Sequence, residues 1–321
     1  MSLAAKGPGD SELGIDVARL GAPDAARVLL HSSGLHGVEG YAGSAIQLAT
    51  LERPPAVPAG CALVLVHALN PYGMTWLRRV NENNVDLNRN FLGAGERWEG
   101  APPLYSTLDP LLNPPTPAGT DRFWLRLGAM ALRHGPRALK QAIAEGQYEF
   151  PRGLFFGGRS LEAGPRLYLD SLRHSLAGAE YLLAIDLHTG LGPRGRETIV
   201  LEAGVGTTPA AELARGLSKP LIEPGRSAYR IRGGMGGALP AAVPGARVDF
   251  LLQEIGTRPV HAVLAALREE NRCHHHGASL AHPAKRALLE AFCPASPAWR
   301  RQAVENGTRL VSAAAAWTFS R

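Results

Sequence analysis

Cysteine is scarce in this chain. The three present, Cys61, Cys273 and Cys293, form an odd set with no CxxC pair. That argues against a disulfide framework or a four-thiolate zinc site and suggests reduced thiols in a cytoplasmic protein. No apolar run reaches the roughly 18 residues of a membrane helix, so no membrane partner is expected. The N-terminus lacks a hydrophobic signal core, which predicts no Sec export. Lys/Arg blocks interleaved with aromatics are missing, so nucleic acid is not an expected partner. There are no internal repeats. What remains is 321 residues, 45% hydrophobic and 19% charged, with a net charge of +6. That is an ordinary globular balance with a mild attraction for anionic substrates.

Continuous apolar runs at 26–31, 61–67, 181–188 and 247–254 read as strands buried on both faces of a sheet. A helical apolar spacing at 41–51, stopped by Pro54-Pro55, joins the first two into a βαβ unit. The expectation is an α/β fold: a three-layer α/β/α sandwich with a mixed, mostly parallel sheet. One catalytic domain is expected over 1–321. An irregular and helical insertion is expected at about 93–165, where Pro and Gly cluster before helices at 124–134 and 138–144. Further helices are expected at 166–176, 210–217, 259–272 and 299–318, and a strand at 197–201.

Chemistry-bearing residues gather at the strand ends. His36-Gly-Val-Glu39 follows the first strand and the break Ser32-Ser33-Gly34. A His and a Glu three apart can aim nitrogen and carboxylate oxygen at one point, the borderline donors that zinc prefers. Alone the motif reads as a surface His beside a solvated Glu. The third strong strand ends in His188, and the fourth in Glu254 before Gly256. Strand ends at one edge of an open α/β sheet converge in space. Asn70-Pro-Tyr-Gly73 reads as a turn, and the polar stretch 76–91 as a ligand-contacting loop. Gly233-Gly-Met-Gly-Gly237 reads as a flexible site loop and not a phosphate cradle. Cys273-His-His-His276 reads as an exposed loop with adventitious metal affinity. His31 and His67 read as satisfied core or near-site residues.

Taken in order, His36-Gly-Val-Glu39, Asn70-Pro-Tyr-Gly73, Arg79, Val85-Asp-Leu-Asn-Arg-Asn-Phe91, Asp186-Leu-His188 and Gln253-Glu-Ile-Gly-Thr257 resemble the motifs of the zinc carboxypeptidase superfamily. The resemblance is closest to a bacterial branch catalogued as a domain of unknown function, related to the aspartoacylase and succinylglutamate desuccinylase branch. It implies one Zn2+ per chain, held by His36, Glu39 and His188, with Asp86 accepting the other ring N–H of His36. It implies that Asn88 and Arg89 grip a substrate carboxylate, that Arg79 faces the developing oxyanion, and that Glu254 is general base and then acid. Digestive members carry a mobile tyrosine before the catalytic Glu. The nearest tyrosine here is Tyr229, a substrate contact or a packed loop aromatic.

The resulting expectation is a zinc-dependent hydrolase cleaving the C-terminal peptide bond of a small peptide. The alternatives are a deacylase acting on an N-acyl amino acid with a free carboxylate, and a non-catalytic zinc or peptide-binding module. Glu254 argues against the last, because a binding module needs no base facing the metal.

Overall fold

The apolar runs do pair into one sheet in the computed structural model, which describes residues 1–117, 121–202, 204–222 and 230–321. Among these, the strands are β1 (Ser2–Lys6), β2 (Glu12–Gly14), β3 (Asp16–Gly21), β4 (Arg27–Ser33), β5 (Cys61–His67), β6 (Tyr181–Gly190), β7 (Glu197–Leu201), β8 (Leu221–Ile222) and β9 (Arg247–Gly256). The helices are α1 (Gly40–Glu52), α2 (Pro71–Thr75), α3 (Tyr105–Leu112), α4 (Phe123–His134), α5 (Pro136–Ala144), α6 (Ala163–Ser175), α7 (Ala210–Gly216), α8 (Leu239–Ala242), α9 (Val260–His275), α10 (Pro283–Phe292) and α11 (Pro297–Phe319).

The main sheet runs β3-β5-β4-β6-β9-β7-β8. Its centre, β5, β4, β6 and β9, is parallel, while β3 and β7 join antiparallel. Side chains alternate across the pleat. Val28 and Leu30 of β4 therefore pack with Leu182, Val248 and Phe250 under Tyr168 and Leu172 of α6 and Leu239 of α8. Leu29 points the other way, with Leu183, Ile185 and Leu251, under Leu310 and Ala314 of α11 and Leu213 of α7. Two cores on opposite faces make the three-layer α/β/α sandwich. Each such Leu or Ile, wholly shielded, stabilises the fold by roughly 1.5–3 kcal/mol.

A third apolar cluster lies beyond the two sheet faces and joins α3, α5, α9 and α10 through Tyr105, Leu108, Leu139, Ile143, Leu267 and Leu288. It includes Val38, between His36 and Glu39. The Pro- and Gly-rich start of the expected insertion thus contains a helix, α3. It keeps Pro110 inside it and buries an apolar face of Tyr105, Leu108, Leu111 and Leu112. Helix α10 and strands β1–β3 were not expected; the strands are short or half-exposed, whereas α10 buries a regular face of Ala284, Leu288, Ala291 and Phe292.

Two further expectations are corrected. Asn70-Pro-Tyr-Gly73 opens helix α2: Asn70 Oδ1 caps Gly73 N at 2.8 Å and Pro71 occupies the first turn, where no N–H is needed. Cys273-His-His-His276 is mostly not a loop. Helix α9 continues to His275, and the Cys273 side chain is buried.

Candidate metal centre

The turn that carries His36 and Glu39 is fixed by the backbone. Gly37 N and Val38 N donate to the carbonyls of Arg79 and Arg78, at 3.1 and 3.0 Å. A Cβ on Gly37 would lie 2.0 Å from the Gly73 carbonyl carbon, so only glycine permits this approach to α2. Asn70 Nδ2 donates to Arg79 O at 3.1 Å and ties the same segment down.

His36, Glu39 and His188, all buried, bring one ligand atom each to within 4.8 Å of one another, and they are the one such group among the described residues. His36 Nδ1 lies 2.8 Å from Glu39 Oε1 and 3.2 Å from His188 Nδ1. His188 Nδ1 is 3.4 Å from Glu39 Oε2. The far ring nitrogens face carboxylates. His36 Nε2 is 3.0 Å from Asp86 Oδ1, and His188 Nε2 is 2.7 Å from Asp186 Oδ2, an ion-pair distance short of good hydrogen-bond alignment. With a metal bound, each Nε2 would keep its proton toward the carboxylate it faces and each Nδ1 would offer its lone pair. Two ring nitrogens and a carboxylate then converge on one point. This donor set fits a zinc ion.

Two of the carboxylates, Glu39 and Asp86, are held ionised. Burial pushes Glu39 upward, but the adjacent His36 and His188 outweigh it and bring the group well below the usual carboxylate range. Asp86 is likewise depressed: burial is opposed by Arg79, His36 and Arg89. Asp86 also caps the short turn at 87–89, accepting Asn88 N at 3.1 Å, and its Oδ2 takes Arg79 Nε at 3.0 Å. Arg79 Nη1 reaches Glu39 Oε1 at 3.2 Å. Thr189 N donates to Glu39 Oε2 at 2.7 Å.

Glu254 pairs in register with His188 across β6 and β9. Its Oε2 is shielded from solvent and has no hydrogen-bond partner. Burial, with a push from Glu39, raises its carboxyl to about 8 despite the attraction of His188 and Arg79.

A cavity of about 420 Å³ opens over these groups, with Arg79, Asn88, Arg89 and Glu254 in its wall. The Arg89 guanidinium is buried and donates three hydrogen bonds to carbonyls: two to Ala144 O, at 3.1 and 2.6 Å, and one to Asn88 O at 2.8 Å. Among the described residues no carboxylate pairs with it. Asn88 Oδ1 accepts Met235 N at 3.3 Å, which seats the glycine-rich loop behind this pair.

All four residues of the expected metal and base set, with Asp86, Arg79, Asn88 and Arg89, therefore meet at one sheet edge. Tyr229 lies outside the described residues. The rest of the polar 76–91 loop is structural. Arg78 pairs with Glu270 at 2.9 Å, Asn81 Oδ1 takes Val85 N at 2.8 Å, and Asn90 Nδ2 donates to Gly157 O at 2.8 Å. His31 is core: burial lowers it to about 4, and its Nδ1 meets Gln47 at 3.2 Å. His274 and His275 are half-buried and lowered to about 3 and about 4, by burial and then by Arg78. The sequence reading gave Asp186 no role. Its signal was present, because positions two apart on a strand share a face, which sets Asp186 beside His188.

Residues 1–306 match the family described as Protein of unknown function (DUF2817). No curated protein matches the chain. Among solved structures, the chain is similar to carboxypeptidase A from Helicoverpa armigera, with 15% identity and a TM-score of 0.46 over 96% of this chain and 67% of that one. It is similar to murein-tripeptide amidase MpaA from Escherichia coli O157, with 16% identity and a TM-score of 0.41 over 83% of this chain and 89% of that one. A protein described as of the succinylglutamate desuccinylase/aspartoacylase family, from Shewanella amazonensis SB2B, shows 18% identity and a TM-score of 0.39 over 91% of this chain and 71% of that one. No helix among the described residues is long and apolar enough to cross a membrane.

Proposed function

The chain belongs to the DUF2817 family, whose description assigns no activity, and from its own site we propose a zinc-dependent hydrolase. Its target is the amide bond between an acyl group and a terminal amino acid that bears a free carboxylate. The observation that carries this is the convergence of His36 Nδ1, His188 Nδ1 and Glu39 while both Nε2 atoms face carboxylates. A zinc ion held by these three residues supplies Lewis acidity and lowers the pKa of a water from 15.7 to about 7.

The chain's residues do the rest. Glu254, with an unpartnered oxygen in the cavity wall, takes the proton of the attacking water and gives it to the leaving nitrogen. Such acid–base work contributes ~10²–10⁴ in rate. Arg79, held by Glu39 and Asp86, places a cation at the cavity wall for the oxyanion. Arg89 spends three of the guanidinium's five N–H groups on carbonyls, and the remaining two suit a carboxylate. Asn88 sits beside it.

The acyl side decides between two readings. A peptide there makes the protein a carboxypeptidase, whereas a simple acyl group makes it an N-acyl amino acid deacylase. The apolar cavity walls favour the second. The test compares metal-loaded protein on N-acyl amino acids and peptides, each with a free and an amidated C-terminus. Turnover is expected with free carboxylates only, and equal turnover of the amidated forms would refute the reading.

A further inference from the structure

Outside its polar floor, the cavity is walled by helices that no site residue occupies. Leu127 and Ala131 of α4, Leu139 and Ile143 of α5, and Leu264 and Leu267 of α9 face it. The polar side chains these three helices add to the lining are Lys140 and His261. Helix α4 has one buried residue, Phe123. Its Trp124, 47% exposed, lies in the cavity wall beside the first turn of α9, where Val260 is 59% exposed. Leu125 and Leu132, on another face of α4, are 69% and 91% exposed. A helix apolar on its cavity face and along one flank, with only Phe123 buried, marks a surface for an apolar partner.

We propose that the acyl group is a hydrocarbon chain of about eight carbons or more, so that the substrate is an N-acyl amino acid amphiphile. This rests on the amide-hydrolase reading above for the cleavage, though not for the binding. A peptide would carry an amide at every residue, each costing free energy if buried without a partner. Walls built mostly from Leu, Ile and Ala, with Lys140 and His261 as the polar side chains the three helices add, offer few partners, and a hydrocarbon needs none. Size agrees. At about 30 Å³ for a water-sized group, 420 Å³ admits about fourteen. Carboxylate, Cα and amide take about seven, and the other seven accommodate the first part of the chain. A longer tail continues onto the exposed apolar surface of α4.

The experiment uses the metal-loaded Glu254→Gln protein, which should bind without turnover, and titrates N-dodecanoyl-alanine and N-butanoyl-alanine by calorimetry. Hydrolysis of both by the unaltered protein is followed in parallel. The dodecanoyl compound is expected to bind at least a hundredfold tighter, with a negative heat-capacity change. Ala131→Trp, which fills the cavity, and Leu127→Asp should each lower that ratio tenfold or more. Tight, chain-length-dependent binding without hydrolysis would support this inference and overturn the hydrolase reading. Hydrolysis at equal efficiency for both chains would do the reverse. Tighter binding of a peptide with an aromatic C-terminus than of the dodecanoyl compound would overturn the inference, as would the absence of binding by either acyl compound.

Discussion

Glu254→Gln separates the chemistry of this site from its architecture, because the structure sets two opposite consequences for it. In the metal-free protein, Glu254 is partly buried with its Oε2 shielded, and its carboxyl is raised from 4.5 to about 8. The unfolded chain ionises near 4.5, so between these values it holds fewer protons than the folded protein. Stability is then fully present below about pH 4.5 and falls as pH rises through about 8. At ~1.36 kcal/mol for each pH step of one, the loss between pH 5 and pH 8 comes to about 3 kcal/mol. Glutamine has no such titration. The metal-free variant should therefore match the parent near pH 5 and melt about 6 °C higher near pH 8, at roughly 2 °C per kcal/mol for a chain of this size. A bound cation would favour the carboxylate, removing most of the difference. In the metal-loaded protein the same change should cut turnover by at least ~10² while leaving zinc content intact. Parallel melting curves of parent and variant at both pH values would refute the burial argument. Loss of zinc would make Glu254 a ligand and would reopen the role of Glu39.

Other perturbations test neighbouring parts of the site. His36→Ala and His188→Ala should each lose zinc or bind it far more weakly by metal analysis, and full retention in both would place the metal elsewhere. Arg89→Ala should lower kcat/KM about a hundredfold, or about 3 kcal/mol, with little change on amidated substrates; it should also loosen the end of α5, since it frees Ala144 O. Asp186→Asn removes the charge beside His188 Nε2 and should weaken zinc affinity by about 10–100-fold without unfolding the protein; unchanged affinity would make Asp186 a spectator.

The sheet was legible because strands buried on both faces have to be continuously apolar. Cys61 to Val66 and Tyr181 to Ile185 advertise themselves in that way. The metal set was legible for a related reason. His36 with Glu39, His188 and Glu254 follow directly on such runs, so topology alone brings them to one edge. Composition could not separate Arg79 and Arg89 from Arg78, or Asn88 from Asn81 and Asn90. All sit in one polar loop, and which of them faces the cavity depends on hydrogen bonds to distant backbone at Gly157 and Ala144 and to Val85 within the loop. The cover was the least legible part. Helix α3 hides among prolines, with Pro110 inside it. The cavity walls of α4 and α9 come from segments read only as helices, with no indication of what their apolar faces would meet.

That cover links the site's electrostatics to its specificity. In the strand order β5-β4-β6-β9, β4 sends the chain through α1 to β5 on one side, while β6 and β9 lie on the other. The strand ends therefore part at a crevice of the kind where α/β folds bind ligands. A bare crevice would be wet, and a solvated Glu254 would titrate near 4.5. Helices α4, α5, α9 and α10 close it with Leu, Ile, Ala and Phe292. The same apolar lining lifts Glu254 and leaves a hydrocarbon as the occupant with least to lose. A polar group placed in the wall should act on both. Leu127→Asn is expected to shorten the preferred acyl chain and, by admitting water without adding a like charge, to draw the Glu254 titration back toward 4.5 in the metal-free protein. A change in one of these properties without the other would mean that the walls serve them separately.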